Sequence, residues 1–136
     1  IVVTNQPVIA RGEVTYEQLD EIHNKMETLL GLEGAYLDGI YICPHHPHKG
    51  YEGEIPELKI DCDCRKPKPG MLLRAAKDFN IDLQKSYMVG DSESDILAGK
   101  AAGCKTVLIG EEDCGQDYMT DSLFGFVQEV FETDKR

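Results

Sequence analysis

Short apolar runs alternate along the chain with longer segments in which apolar residues recur every three or four positions. The short runs are rich in β-branched residues and predict four strands, at residues 1–3, 37–43, 87–91 and 106–109. The longer segments predict four helices, which begin near residues 15, 71, 93 and 122. Strands that alternate with helices predict a parallel, doubly wound, Rossmann-like α/β sheet. We expect a single domain, formed by residues 1–136.

The same periodicity predicts which side chains are buried. The first helix is expected to bury Leu19, Ile22, Met26, Leu29 and Leu30. The second is expected to bury Leu72, Leu73 and Ala76. The last, capped by Asp121 or Ser122, is expected to bury Leu123, Phe124, Val127, Val130 and Phe131. The strand at residues 1–3 contains no polar residue, so it is expected to be buried on both faces.

Local signals predict where two of the helices begin and end. Thr15 and Gln18 have the spacing of a capping box, in which each side chain bonds the backbone of the other residue. Gly31 or Gly34 is expected to end that helix, because glycine readily adopts the left-handed conformation found after helices. Gly103 is expected to end the helix that begins near residue 93.

Composition and charge exclude several classes of partner. The 136 residues carry a net charge of −11, which disfavours binding to nucleic acid or to an anionic membrane surface. No apolar run has the length needed to cross a bilayer, and no signal peptide is found, so we expect a cytoplasmic protein. Residues 111–119 are predicted to be an acidic loop. Against this acidity, the cations at Arg65, Lys66 and Lys68 are conspicuous.

Four potential metal ligands lie in two closely spaced pairs at the two ends of a long loop. Cys43 and His45 form the first pair, and Cys62 and Cys64 form the second. Three thiolates and one imidazole are sufficient for a closed, tetrahedral zinc site. These soft ligands favour zinc over magnesium or calcium. Residues 43–64 are therefore predicted to form a zinc-binding loop.

Other interpretations of these residues stay open. A disulfide within the set is disfavoured in a cytoplasmic protein, and simple buried thiols are a further alternative. His46 or His48 can replace His45, although the shorter spacing favours His45. Cys104 and Cys114 lie outside the set and are expected to have no functional role.

Polar and charged residues follow the predicted zinc site and the first strand. Arg65 and Lys66 come directly after the last zinc ligand, and such a cation pair suits the recognition of an anion, above all a phosphate. Thr4, Asn5 and Gln6 end the first strand, at the sheet edge where open α/β proteins bind ligands. A plain turn at the strand end also explains this tripeptide.

Asp91 and Asp95 follow the third strand. Two carboxylates there suit Mg²⁺, which binds one or two carboxylates together with substrate phosphates and water. Capping of the next helix by the same side chains is the alternative. With the hydroxyl of Thr4 and the charge of Lys66, a metal at Asp91 would provide the groups that phosphoryl transfer requires. None of the remaining residues is well placed to be the nucleophile.

Six segments carry a resemblance to a known family: residues 3–6, 9–12, 38–41, 43–47, 62–71 and 89–95. Together they resemble the haloacid dehalogenase superfamily, in its branch of heptose-bisphosphate and histidinol-phosphate phosphatases. The resemblance implies a Mg²⁺-dependent phosphatase that acts on a small phosphorylated sugar. The long loop between Cys43 and Cys62 favours heptose 1,7-bisphosphate, with release of the 7-phosphate. Histidinol phosphate is the alternative substrate.

The resemblance also implies a role for individual residues. Thr4 is similar to the hydroxyl that holds the transferring phosphoryl group, and Lys66 to the lysine that offsets its charge. Arg65 is implied to recognise the substrate. The remaining substrate-binding residues are implied to be Asn5, Gln6, Arg11 and Ser92. Asp91 is implied to bind Mg²⁺, with Asp95 behind it, and the two Cys/His pairs match the zinc ligands of the family.

The superfamily's first motif, Asp-x-Asp at the end of the first strand, is not found in this sequence. In the family its first Asp is the nucleophile that forms an aspartyl-phosphate, and its second is the general acid and base. The strand that carries it is the central one, so the sequence looks truncated before Ile1. We expect the chain alone to be inactive and to need a missing segment or a neighbouring chain to complete the sheet. A zinc-binding fragment without activity is the last alternative.

Overall fold

The computed structural model describes residues 1–134. The chain divides into two compact units, Ile1–Arg65 and Lys66–Arg136. Each unit combines its own parallel sheet with helices, so the predicted α/β class is confirmed. The central strand expected from the family is not among the five strands of residues 1–134, also as predicted. No helix in this part of the chain is long and apolar enough to span a membrane.

The first unit is built around two strands. β1 (Val2–Asn5) pairs in parallel with β2 (Ile40–Cys43), and the register places Asn5 opposite Cys43. α1 (Pro7–Ala10) and α2 (Tyr16–Leu32) connect them. The register matters for the site, because it brings the end of β1 beside the start of the predicted zinc-binding loop. That loop contains one short 3₁₀ turn, at Pro56–Leu58.

The ends of α2 follow the predicted signals. The Gln18 backbone N–H donates to Thr15 Oγ1 at 3.1 Å, and the Thr15 N–H donates to Gln18 Oε1 at 2.9 Å, which completes the capping box. After the helix, Gly34 has a φ of 77°, a conformation that a residue with a Cβ adopts only with strain.

The predicted burial of the first unit is largely wrong. β1 was expected to be fully buried, but all its residues remain partly exposed, because its sheet has only two strands. On α2 only Leu19 is buried, whereas Ile22 and Leu29 are 57% and 55% exposed. The apolar stripe is present, but nothing in residues 1–65 covers most of it.

The second unit contains a three-stranded parallel sheet in the order β3 (Tyr87–Gly90), β4 (Lys105–Ile109), β5 (Tyr118–Thr120). Its helices are α3 (Gly70–Phe79), α4 (Glu93–Ala102), α5 (Leu123–Phe126) and α6 (Glu132–Asp134). A 3₁₀ turn at Leu83–Lys85 precedes β3, and a π-helical turn at Val127–Phe131 joins α5 to α6. The bounds of α4 and its end at Gly103, with a φ of 87°, are as predicted.

Aromatic and β-branched side chains form the core of the second unit. Val107, Phe126 and Val130 are buried, and a ring of partly buried side chains packs around them: Tyr87, Val89, Tyr118 and Phe131. α4 lies close against the sheet, because a Cβ at Gly99 would come within 2.6 Å of Met88 Cβ. Close packing of this kind holds the carboxyl end of β3 in a fixed position.

Three predictions for this unit need correction. α3 buries Met71, Leu72 and Ala75, whereas Leu73 is 48% exposed. The buried face of the helix is therefore shifted by one residue toward the N-terminus relative to the predicted face. In the last helix, Leu123 and Phe124 are 61% and 70% exposed, because Phe126 fills the core instead. The last two residues of the predicted acidic loop belong to the short strand β5, which has only three residues and lies at the sheet edge.

Candidate functional site

The four predicted zinc ligands converge on one point. The Sγ atoms of Cys43, Cys62 and Cys64 and the Nδ1 atom of His45 all lie within 4.8 Å of one another. Cys43 Sγ is 3.5 Å from both His45 Nδ1 and Cys62 Sγ, and Cys64 Sγ is 3.2 Å from His45 Nδ1. In a tetrahedral site with Zn–S bonds of about 2.3 Å, the ligand atoms are about 3.8 Å apart. The cluster therefore has the donor chemistry of a structural zinc site, with its ligand atoms closer together than in a zinc-bound site, down to 2.9 Å between Cys43 Sγ and Cys64 Sγ.

The thiols of this cluster differ in acidity. All three cysteines are free rather than paired in disulfides. Burial raises the pKa of Cys43, and burial together with the neighbouring thiols raises the pKa of Cys64 strongly. Burial acts in the same direction on Cys62, but hydrogen bonds from the Arg65 backbone and from Cys64 outweigh it and lower its pKa. Burial thus disfavours charge on Cys43 and Cys64, whereas the hydrogen bonds at Cys62 favour its thiolate.

The backbone around the cluster fixes its geometry. Cys43 is the last residue of β2, and its carbonyl accepts a hydrogen bond of 2.7 Å from the Gln6 N–H. Arg65, which follows the last ligand, donates through a guanidinium nitrogen to the His45 carbonyl at 3.4 Å. His46, one of the alternative ligands, instead accepts a hydrogen bond from the His48 N–H. The histidine in the cluster is His45, as the spacing favoured.

A second group of polar side chains lies at the carboxyl end of β3. Lys66 Nζ donates to Asp95 Oδ1 at 2.6 Å, and the two side chains are only 11% and 7% exposed. The other carboxylate oxygen, Oδ2, accepts from the backbone N–H groups of Asp91 and Ser92, each at 3.2 Å. Ser92 Oγ donates to the same oxygen at 2.9 Å. Asp95 thus neutralises the lysine and shapes the turn that carries Asp91.

These contacts combine the two interpretations that the sequence left open for Asp95. The side chain caps the first turn of α4, and it is also the partner of the predicted phosphate-binding lysine. Both its oxygens are engaged, so a direct bond to Mg²⁺ would compete with these contacts. Asp91, in contrast, is exposed. One free carboxylate fits Mg²⁺, whose other ligands are typically water and substrate phosphate.

The sequence did not identify Gly90 as a site residue. A Cβ at this position would lie 2.3 Å from Asp95 Oδ2, so any other residue would displace the carboxylate. The sequence signal for Gly90 was its position directly before Asp91. That a glycine is required there becomes clear only from the structure, in which the Asp95 carboxylate packs against the Gly90 backbone. Lys59, inside the long loop, was also missed; it is 1% exposed although it is charged.

The residues at the end of β1 form a third group. Gln6 Nε2 donates to Thr4 Oγ1 at 3.2 Å, and the register places Asn5 beside Cys43. Arg11 Nε lies 3.0 Å from a Glu13 carboxylate oxygen, which makes an ion pair. The alignment is poor, since this buried nitrogen makes no hydrogen bond within residues 1–134.

Comparison with protein families gives the class of the protein. A family model described as HAD-hydrolase-like matches residues 63–123, a range that includes the last predicted zinc ligand, Cys64, together with Lys66 and the β3–α4 turn. This match, together with the parallel sheet and the Lys66–Asp95 pair, indicates a hydrolase of the haloacid dehalogenase type. The resemblance stated from the sequence is confirmed at this level.

Curated relatives refine the class. The D-glycero-beta-D-manno-heptose-1,7-bisphosphate 7-phosphatase of Pasteurella multocida is 52% identical over 110 residues, which are 80% of this chain and 57% of the relative. The enzymes of the same name from Yersinia pestis and Escherichia coli K12 are 42% and 39% identical, over 90% and 99% of this chain and 68% and 73% of their own lengths. The chain therefore belongs to the D-glycero-beta-D-manno-heptose-1,7-bisphosphate 7-phosphatase family.

Solved structures agree with this assignment. The D,D-heptose 1.7-bisphosphate phosphatase from B. bronchiseptica, complexed with magnesium and phosphate, is 30% identical with a TM-score of 0.77, over 97% of this chain and 75% of that one. A putative HAD-like phosphatase from Mesorhizobium loti is 33% identical with a TM-score of 0.74, over 89% of this chain and 60% of that one.

Proposed function

We propose that the protein containing this chain is a Mg²⁺-dependent phosphatase that removes the 7-phosphate from D-glycero-D-manno-heptose 1,7-bisphosphate. The observation that carries the proposal is the Lys66–Asp95 pair of 2.6 Å beside the exposed carboxylate of Asp91. It provides a fixed cation next to a hard oxygen ligand, a combination that suits a phosphoryl group. The names of the relatives support the sugar bisphosphate as substrate.

Within this proposal each residue of the chain has a defined task. Lys66 offsets the charge of the phosphoryl group and of the nucleophile, and Asp95 keeps its ammonium in place. Asp91 would hold Mg²⁺, which when bound supplies Lewis-acid polarisation of a phosphoryl oxygen. Thr4 donates its hydroxyl to the phosphoryl group, and Arg65 recognises the substrate. The other substrate-binding residues are Asn5, Gln6, Arg11 and Ser92.

The zinc ion has a structural task in this proposal. Cys43, His45, Cys62 and Cys64 would bind it through a closed set of ligands with no open position for substrate. The ion would tie the two ends of the long loop together and so fix the direction of Arg65, which directly follows the last ligand. The proposal also covers the partner and the location. The ligand of the protein is a small phosphorylated sugar, not nucleic acid or a membrane, and the protein is located in the cytoplasm.

The nucleophile is not among residues 1–136, because the Asp-x-Asp motif is not found at the end of a first strand. The proposal therefore predicts that these residues alone release no phosphate. A protein that also carries the first motif should release phosphate in the presence of Mg²⁺. Measurable turnover by residues 1–136 alone would contradict the proposed phospho-aspartate mechanism.

The test compares phosphate release from heptose 1,7-bisphosphate and from histidinol phosphate, using protein that carries the first motif. We expect the heptose bisphosphate to be preferred, and a preference for histidinol phosphate would overturn the substrate assignment. Lys66→Met should reduce kcat by about 100-fold or more, because a preorganised charge at the phosphoryl group is lost. Lys77→Met removes an exposed lysine of α3 and should leave turnover unchanged.

A further inference from the structure

The long loop between the two zinc-ligand pairs, residues 44–61, encloses a lysine. Lys59 is 1% exposed and has the largest volume among the fully buried side chains of the part of the chain that the structure describes. A buried ammonium group is unfavourable unless its charge is paired and its N–H groups are hydrogen-bonded. The loop must therefore supply these partners.

All of these partners come from the loop itself. Lys59 Nζ donates to the His48 carbonyl at 2.9 Å and lies 3.5 Å from His46 Nδ1. The counter-charge of Lys59 is the Glu54 carboxylate, 3.7 Å from Nζ. The centroid of the Tyr51 ring lies 4.2 Å from the same Nζ atom. The Glu54 carboxylate in turn accepts the backbone N–H groups of Gly50 and Tyr51, at 3.0 and 3.1 Å.

These contacts join the same two stems of the loop that zinc would join. His46 and His48 lie on the stem that follows Cys43 and His45, and Lys59 lies on the stem that leads to Cys62 and Cys64. The His46 N–H also donates to the Leu58 carbonyl at 3.1 Å, directly between the metal ligands and the lysine. None of these bonds involves a ligand atom of the zinc cluster.

The tip of the loop has a separate attachment to the end of α1. The Ile55 N–H donates to the Ala10 carbonyl at 2.8 Å. Gly12 and Gly53 approach so closely that a Cβ on Gly12 would lie 1.9 Å from the Gly53 carbonyl oxygen. The loop is therefore held at its tip and at Lys59 by contacts that need no metal.

We propose that Lys59 is a positioning residue for the metal, which holds the two stems together without zinc so that the four ligand atoms are gathered before the ion binds. The proposal rests on the zinc site proposed above. It differs from the usual behaviour of small zinc domains, in which the ligands assemble only when the metal binds. Zinc would then add affinity to a loop that is already folded.

The first measurement is zinc affinity, by competition with a chromophoric chelator. Lys59→Met keeps the length of the side chain but removes its charge, and we expect it to weaken zinc binding about tenfold or more, comparable to other losses around metal ligands. Lys49→Met is the matched control, since it removes an exposed lysine from the same loop. This control should bind zinc within about twofold of the wild type. If Lys59→Met binds zinc as tightly as Lys49→Met does, the proposal is overturned.

The second measurement distinguishes positioning from a general effect on stability. Hydrogen exchange of the His46, Gly50 and Tyr51 amides is followed in zinc-free and zinc-loaded protein. In the wild type we expect similar protection in both forms. In Lys59→Met we expect protection to be lost without zinc and restored with it. Protection that is lost equally in both forms would mean a merely structural role and would overturn the proposal.

Two further observations keep the test decisive. The amides of β1, β2 and α2, which lie in the same unit as the loop, report whether each variant is folded, and if Lys59→Met is not, Glu54→Gln replaces it. Glu54→Gln removes the counter-charge but keeps the shape, so a weaker effect in the same direction is expected, and no effect would overturn the proposal. If the wild type does not bind zinc, the zinc site itself is wrong. Zinc binding that is equal in all variants rejects only the role of Lys59.

Discussion

Lys66 Nζ lies 2.6 Å from Asp95 Oδ1, and both side chains are almost completely buried. The other oxygen of the same carboxylate holds the turn at Asp91 and Ser92 through three hydrogen bonds. One aspartate therefore fixes both the cation and the backbone of the proposed metal ligand. The first turn of α4 thereby determines how charge is arranged at the end of β3.

Asp95→Asn tests this arrangement. The amide keeps the shape of the side chain but removes the negative charge that lies against the buried Lys66, so we expect the free energy of unfolding to fall by about 3 kcal/mol. Urea unfolding measures the change. Asp78→Asn is the control, because Asp78 pairs with Arg74 only at 4.0 Å and both side chains are well exposed. Its effect should be within about 0.5 kcal/mol, and similar losses in both variants would show that the buried pair is not special.

Gly90→Ala tests the close approach behind the site. The added Cβ would lie 2.3 Å from Asp95 Oδ2, so the carboxylate must move away from Lys66 or from the Asp91 turn. We expect a loss of about 2 kcal/mol in unfolding free energy, the range of overpacked cores. Gly31→Ala in α2 has its nearest neighbour at 3.8 Å and should be neutral or stabilising. Equal stability of the wild type and Gly90→Ala would mean that Asp95 can move without cost.

The sequence predicted best those features that depend on neighbouring residues. α4 begins and ends where predicted, because Asp95 caps its first turn and Gly103 takes the left-handed conformation after it. The zinc cluster was also predictable, since two short-spaced pairs at the ends of one loop need only that loop to close. These features are determined by residues close in sequence and do not depend on how the rest of the chain packs.

Burial was predicted poorly because it depends on partners that periodicity does not specify. An apolar stripe indicates which residues share a helix face, but not whether another element covers that face. Ile22 lies on the predicted stripe and is 57% exposed, while Lys59 lies in a polar loop and is 1% exposed. A lysine in such a loop is normally solvated, so its burial could be found only from the three-dimensional contacts.

Thr15→Ala tests the capping box of α2. Thr15 Oγ1 accepts the Gln18 N–H at 3.1 Å, and its loss leaves a helix N-terminal donor without a partner in the helix. The expected loss is about 1 kcal/mol in unfolding free energy, measured by urea titration. Thr28→Ala in the same helix removes a hydroxyl that donates to the Asn24 carbonyl and should be neutral or slightly stabilising. A larger loss from Thr28→Ala than from Thr15→Ala would contradict this account.

The thiols of the zinc cluster predict how metal affinity depends on pH. A thiol is neutral below its pKa and is a thiolate above it, and zinc binds the thiolate. Burial raises the pKa of Cys43 and Cys64, so both carry a proton at neutral pH in the metal-free protein. Binding must release at least these two protons. Zinc affinity should therefore rise by at least about 100-fold per pH unit between about pH 6 and 8 and fall as the pH is lowered.

Chelator competition at several pH values measures this slope, and Cys64→Ser gives the decisive comparison. The variant removes one of the two thiols with a raised pKa, so its affinity should be lower and its slope should be smaller by a factor of about ten per pH unit. Cys104→Ser is the control, because burial also raises the pKa of Cys104 but this thiol lies outside the cluster. Its affinity and slope should match the wild type. A slope that is the same in Cys64→Ser would mean that zinc is not bound through that thiol.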